Sequence, residues 1–282
     1  MPERVYCSEF NGDEPMLGTA DVVDVWLMLE YRPAWKARAL EESALAAPTR
    51  RWLAAGIDAL AAAGLRARPQ LVRQPELDRD TVSLLVAFGD RLLEFQGTGY
   101  DFLDGVDLAG LARGHLPEGA RVVSEPRYFV CTNGQRDLCC ARFGLPVYAA
   151  MRERLGSRVW QVSHLGGHRF APNVLVLPQA TLYGRVQPAD VPAFIERVES
   201  GEVSLAHLRG RTEYAKPVQA AAGYCGGGEL DLVDARGDDA AATVTFRRGS
   251  EEITVAVERS DPVDVLKSCG KASEPAYPYR RR

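Results

Sequence analysis

Between Cys131 and His168 the chain sets two pairs of soft-metal donors on two glycine-containing loops, CTNGQRDLCC at 131–140 and SHLGGH at 163–168. Each loop follows a β-type segment, YFVCT at 128–132 and VWQVS at 159–163. A fold that uses Cys131, Cys140, His164 and His168 together must bring these two strand ends side by side. Thiolates and imidazoles in one place are what an iron–sulfur cluster or a zinc ion needs, and few other chemistries ask for them.

The loop chemistry narrows this further. Eight residues separate Cys131 from Cys140, and Asn133-Gly134 and Asp137 among them supply turn geometry and backbone freedom. Cys140 is placed near the start of a helix, where the positive end of the dipole stabilises a thiolate. Cys139 is a possible substitute for it. His164 and His168 are four apart, which on a helix would resemble many zinc sites. Gly166-Gly167 between them and the β-type residues before them favour a glycine loop, which lets backbone approach a bulky inorganic group. That points away from a helical zinc site and towards a cluster. Arg136 and Asp137 either orient the loop or are solvated loop residues.

With 282 residues, 46% hydrophobic and 26% charged, the chain can form one large or two modest cores. A formal charge of −4 leaves no basic surplus for phosphate backbones, so nucleic acid is not an expected partner. Arg280, Arg281 and Arg282 read as a solvated tail. The opening MPERVYCSEFNGDEP lacks an apolar core and is not expected to be a signal peptide. No apolar run approaches the roughly 18–20 residues of a membrane span. These features predict a soluble, cytoplasmic protein with no membrane partner. In that reducing setting the six cysteines (7, 131, 139, 140, 225 and 269) suggest metal or redox use of a subset, not a disulfide framework. Cys7 reads as a single thiol near a mobile terminus, and Cys225 and Cys269 as single or spare thiols.

The expected fold is α/β (α+β), with two related α/β halves and a small antiparallel C-terminal extension. In residues 1–120, VVDVWLMLEY at 22–31 is a buried strand, APTRRWLAAGIDALAAAGL at 47–65 a helix, and 68–73, 81–89 and 91–96 are strands, the last two a hairpin across Gly89-Asp90. Trp26, Trp35 and Trp52 are core or interface aromatics. Residues 101–118 form a short helix and linker. In residues 121–205 the order is strand, helix, strand, hairpin, helix, which repeats that of the first segment. Pro146 falls early in the helix that starts at Cys139. This order suits a thioredoxin-like sheet. Residues 206–282 are expected to hold a helix at 211–225 and three antiparallel strands, ELDLVDAR, ATVTFRRG and EEITVAVERS. His115 and His207 are given ordinary surface roles.

VCTNGQRDLCC at 130–140, SHLGGHRFAPNVLVLP at 163–178 with YGRV at 183–186, and more loosely Cys7 with GTA at 18–20 and WLMLE at 26–30, resemble the sucrase/ferredoxin-like family, a branch of the thioredoxin-like [2Fe–2S] ferredoxins. The resemblance extends over most of the chain. It implies cluster ligation by Cys131, Cys140, His164 and His168. It also implies an electron-transfer or redox-sensing role with an unknown reductase or acceptor as partner, more in keeping with a non-catalytic protein than an enzyme. No carboxylate pair in a glycosidase setting accompanies the word sucrase. The competing readings are a structural zinc module on the same four residues and a thiol-redox module, the latter weakened by the lack of a Cys-x-x-Cys motif.

Overall fold

The computed structural model describes residues 5–282; the first four residues of the opening stretch lie outside the described residues. Ten strands form one mixed sheet: β1 (Val25–Glu30), β2 (Ala67–Arg73), β3 (Thr81–Phe88), β4 (Arg91–Thr98), β5 (Arg121–Val122), β6 (Arg127–Cys131), β7 (Val159–Val162), β8 (Val174–Leu177), β9 (Thr181–Tyr183) and β10 (Leu208–Arg211). The helices are α1 (Cys7–Phe10), α2 (Ala39–Glu42), α3 (Ala47–Ala62), α4 (Leu108–Ala112), α5 (Leu138–Leu155), α6 (Val191–Glu199) and α7 (Lys216–Tyr224).

The sheet order is β10-β9-β8-β6-β7-β2-β1-β3-β4-β5, and within it stand two four-stranded units of one layout. In the first, α3 joins parallel β1 and β2, β3 runs antiparallel to β1, and β4 antiparallel to β3. In the second, α5 joins parallel β6 and β7, β8 runs antiparallel to β6, and β9 antiparallel to β8. The units meet where β2 pairs antiparallel with β7, Val72 opposite Val162 and Arg73 opposite Gln161. The repeat of topology needs no residue identity, because burial requires only apolar residues at the right period.

All six residues of β1 are buried, as expected of a strand covered on both faces. Val25, Leu27 and Leu29 pack with Leu53 and Leu60 of α3. Trp26 and Met28 face the other way, into a core that also takes Trp160, Val162 and Leu175 of the second unit, and Cys131 and Cys140 belong to that core. The site is therefore built at the margin of apolar packing shared by the two halves.

The C-terminal part holds β11 (Asp231–Gly237), β12 (Ala241–Arg248) and β13 (Glu251–Arg259), and a short hairpin of β14 (Val263–Val265) and β15 (Glu274–Ala276). A last strand, β16 (Tyr279–Arg281), completes the four-stranded antiparallel sheet β11-β12-β13-β16, against which α7 packs. Two expectations are corrected here. The closing arginines are not a free tail: β16 pairs with β13, Tyr279 is buried, and Arg280 and Arg282 both bind the Glu258 carboxylate, the former at 2.7 Å. The helix expected over 211–225 starts only at Lys216, with Pro217 in its first turn, because Leu208–Arg211 extends the large sheet beside β9. Among the described residues no helix is long and apolar enough to cross a membrane.

Candidate metal centre

Parallel β6 and β7 are neighbours, with Cys131 opposite Val162, so the loops that follow them leave from the same end of the strands. The cysteine loop turns at Asn133, whose side-chain oxygen accepts from the backbone N–H of Gln135 and Arg136 at 3.2 and 3.3 Å. Asn133 also donates to the Lys36 carbonyl at 3.0 Å, tying the loop to the first half. Asp137 then caps α5, its carboxylate accepting from Cys139 N–H at 3.0 Å, and is buried, while Arg136 is exposed. Helix α5 lies close on β6: a Cβ on Gly144 would overlap the Cys131 carbonyl oxygen. That approach sets Cys140, on the first turn, against Cys131.

The histidine loop is held by the other half. Gln70 of β2 accepts from Ser163 Oγ at 2.7 Å and from His164 N–H at 3.0 Å. Gly166 and Gly167 adopt φ of +84° and +64°, and a Cβ on Gly167 would sit 2.5 Å from Arg209 Nη2. Arg209 is fully buried beneath the loop. It donates to Gly166 O at 2.9 Å, Asn173 Oδ1 at 2.8 Å, Thr19 O at 2.7 Å and Thr19 Oγ1 at 3.1 Å, and its guanidinium lies 4.8 Å from the Phe170 ring centre. Burial pushes its pKa down to about 9, so it remains a cation at neutral pH.

Candidate donor atoms of Cys131, Cys140 and His164 all lie within 4.8 Å of one another, with His164 Nδ1 3.9 Å from Cys131 Sγ. The His168 ring is beside them, its centre 5.3 Å from that of His164. Both ring nitrogens of His168 are buried without a hydrogen-bond partner; Nε2 is 3.5 Å from Asp137 Oδ2 but outside hydrogen-bond geometry. Burial lowers the His168 pKa, more than the Asp137 charge raises it, so the ring is neutral and free to act as a ligand. The Cys140 thiol, with help from His164, holds Cys131 well below the ordinary thiol value, while the same bond and burial push Cys140 up. Two sulfurs, one of them thiolate-prone, and two imidazoles suit a soft or borderline metal.

Cys139 is not in this group. One residue advances the helix by about 100°, so Cys139 points away from Cys140, to Cys7 and Cys269. Cys7 is consequently no solitary thiol at a mobile end: it is buried, its Sγ 3.5 Å from that of Cys139. Cys269 is no spare thiol either, its Sγ lying 3.3 Å from Cys139 Sγ. Cys225 is half-buried and belongs to neither group, with burial raising its pKa. His207 is engaged by Ser204 Oγ at 2.9 Å and Asp190 at 3.2 Å, and His115 is exposed. Gln70 and Arg209, which position the histidine loop, carry no local signal; only the tertiary fold brings them to it.

The fold and site together define an α/β protein with a buried thiol–imidazole centre at the ends of two central strands of a double α/β sheet. The chain belongs to the sucrase/ferredoxin-like family, whose family model matches residues 16–210. Altered inheritance of mitochondria protein 32 of Meyerozyma guilliermondii is 30% identical over 84 residues, which are 26% of this chain and 30% of that protein. The chain thus covers less than a third of that relative's length. Among solved structures, the thioredoxin-like [2Fe–2S] ferredoxin of Aquifex aeolicus is similar at 20% identity, covering 33% of this chain and 97% of that one with a TM-score of 0.29. A cysteine-to-serine variant of that ferredoxin gives 22% identity, coverage of 30% and 97%, and a TM-score of 0.27.

Proposed function

We propose that this chain is an iron–sulfur protein that holds a [2Fe–2S] cluster through Cys131, Cys140, His164 and His168 and serves in electron transfer or redox sensing with a partner reductase or acceptor protein. The donor set carries the reading. Two buried thiols meet one imidazole within 4.8 Å, and beside them stands a second, buried imidazole with neither nitrogen satisfied. An unpartnered buried polar group costs about 1–3 kcal/mol, a penalty removed when one ring nitrogen has a metal to bind.

When bound, the cluster supplies a one-electron couple. His164 turns Nδ1 towards Cys131, and His168, with both ring nitrogens unpartnered, would supply one of them to the cluster while the other faces away from it. Two neutral imidazoles in place of two thiolates remove two negative charges from the ligand set. That favours electron uptake and sets the potential above the roughly −400 mV of plant-type ferredoxins. The ring N–H groups turned away from the metal lose a proton more readily in the oxidised state, so the potential falls as pH rises.

The test is purification of the full chain without air. The expected product is brown, bleaches with dithionite and contains iron and sulfide in equal amounts. A colourless protein loaded with zinc would overturn the reading in favour of a structural metal. A potential that is flat between roughly pH 6 and 9 would remove the imidazoles from the ligand set.

A further inference from the structure

A second group of soft donors lies on the far side of Asp137. Cys7 from α1, Cys139 from the first turn of α5 and Cys269 from the loop between β14 and β15 bring their sulfurs together. The Sγ–Sγ separations are 3.5 Å (Cys7–Cys139), 3.3 Å (Cys139–Cys269) and 3.7 Å (Cys7–Cys269). Asp137 Oδ1 closes the group, 3.1 Å from Cys269 Sγ and 3.8 Å from Cys7 Sγ. The geometry points to a second metal site, in which the three thiolates of Cys7, Cys139 and Cys269 and the Asp137 carboxylate hold one thiophilic divalent cation such as zinc.

The distances match the chemistry. A tetrahedral ion with metal–sulfur bonds of about 2.3 Å has sulfur–sulfur edges of roughly 3.8 Å, and sulfur–oxygen edges of roughly 3.6 Å when the metal–oxygen bond is about 2.1 Å. The three sulfur–sulfur separations and the Cys269–Asp137 separation fall up to about 0.5 Å inside those edges, and the Cys7–Asp137 separation of 3.8 Å about 0.2 Å outside, so small side-chain shifts bring the donors around an ion. A disulfide accounts for the arrangement less well, because it would join two of the three sulfurs and leave the third thiol beside a carboxylate. Charge supports the same conclusion. The Asp137 side chain is fully buried, and among the described residues no Lys or Arg pairs with it; hydrogen bonds from Cys139 N–H, Ser268 Oγ and Cys269 N–H hold it instead. A divalent ion among its neighbours supplies the countercharge that no basic side chain brings to it.

The site would join the two ends of the chain to the cluster loop, since Cys7 and Cys139 are 132 positions apart and Cys7 and Cys269 are 262 apart. Asn11 already prepares this closure: its side chain donates to Leu266 O at 2.8 Å and accepts from Leu266 N–H at 3.0 Å. Ser268 Oγ and Cys269 N–H both donate to Asp137 Oδ2 at 2.9 Å, so the carboxylate is oriented from two sides.

The experiment is metal analysis and cobalt titration of the full chain, purified without air and with reductant. One equivalent of zinc or cobalt is expected beyond any iron, cobalt giving the ligand-field and thiolate charge-transfer bands of a tetrahedral site. C7S and C269S should each weaken cobalt binding by more than the 10–100-fold typical of losing an outer contact, while keeping the iron content and colour of the parent. Retained iron also reports that these variants are folded. C131S should lose iron yet keep a cobalt equivalent that disappears when C269S is added. Lack of uptake by the reduced parent chain, retention of cobalt by C269S, or a disulfide linking two of the three cysteines in the anaerobic product would each overturn the site. None of these outcomes bears on ligation by Cys131, Cys140, His164 and His168.

Discussion

Replacing Arg209 by methionine tests whether the histidine loop is held from below. The guanidinium makes four hydrogen bonds, to Gly166 O, Asn173 Oδ1, Thr19 O and Thr19 Oγ1, at 2.7–3.1 Å. Charge-assisted bonds contribute about 1.5–3 kcal/mol each, so the four together stabilise by roughly 6–12 kcal/mol. Against this stands the cost of burying the cation. A pKa lowered from 12.5 to about 9 corresponds to roughly 5 kcal/mol at about 1.4 kcal/mol per unit. Since the folded-state pKa is the lower one, that cost is fully present at neutral pH and is relieved only as pH rises above about 9. The bonds win by a few kcal/mol. Methionine recovers the burial cost but strands the acceptors, and a net loss of about 4 kcal/mol is expected. Urea unfolding followed by tryptophan fluorescence measures the loss, and amide exchange across 166–173 should quicken together with a fall in metal content. Lysine at 209 should restore the charge and only part of the stability, because its ammonium cannot span all four acceptors. A methionine variant within about 1 kcal/mol of the parent, with unchanged exchange in that loop, would refute the reasoning.

Three further outcomes follow from the same geometry. Gly144→Ala should destabilise by about 1–3 kcal/mol through overpacking and reduce iron binding, since its Cβ drives α5 away from the Cys131 carbonyl; denaturation midpoints and iron content check both. Asp137 is a pH-linked brace. Burial works to raise its carboxyl, yet the backbone N–H groups of Cys269 and Cys139, the Cys269 thiol and His168 bring it down to about 2, from an unfolded value of 3.8. Its folded-state pKa is thus depressed, and its contribution is complete above about pH 4 and lost as pH falls through about 2. An acid-unfolding curve should be shallower across that window in Asp137→Asn than in the parent. His168→Cys should retain a cluster at a lower potential, because an anionic ligand replaces a neutral one; an unchanged potential in voltammetry would remove His168 from the ligand set.

The two donor loops and their attachment to β-strands were legible in the chain itself. The spacing of Cys131 and Cys140 around Asn133-Gly134, and of His164 and His168 around Gly166-Gly167, is a local pattern, and local patterns follow from backbone freedom and hydrophobic period. The strands β1 to β4 and β6 to β9 were legible for the same reason, most being apolar runs bounded by turn residues. Strand β10, reading LRGR, and strand β16, reading YRR, were not, since neither has apolar alternation and both exist because a neighbouring strand offers unpaired backbone groups.

What the sequence determined alone was thus the kind of donor and the element that carries each. Tertiary structure decided the company they keep. Cys139 and Cys140 are identical in type and adjacent in the chain, and helical pitch sends one to Cys7 and Cys269 and the other to Cys131. Gln70, Arg209 and Cys269 reach the region from 43 to 130 positions away. Periodicity within a window of residues cannot encode such contacts, because they arise from the joining of two sheet units at β2 and β7 and from the folding of both chain ends onto the start of α5.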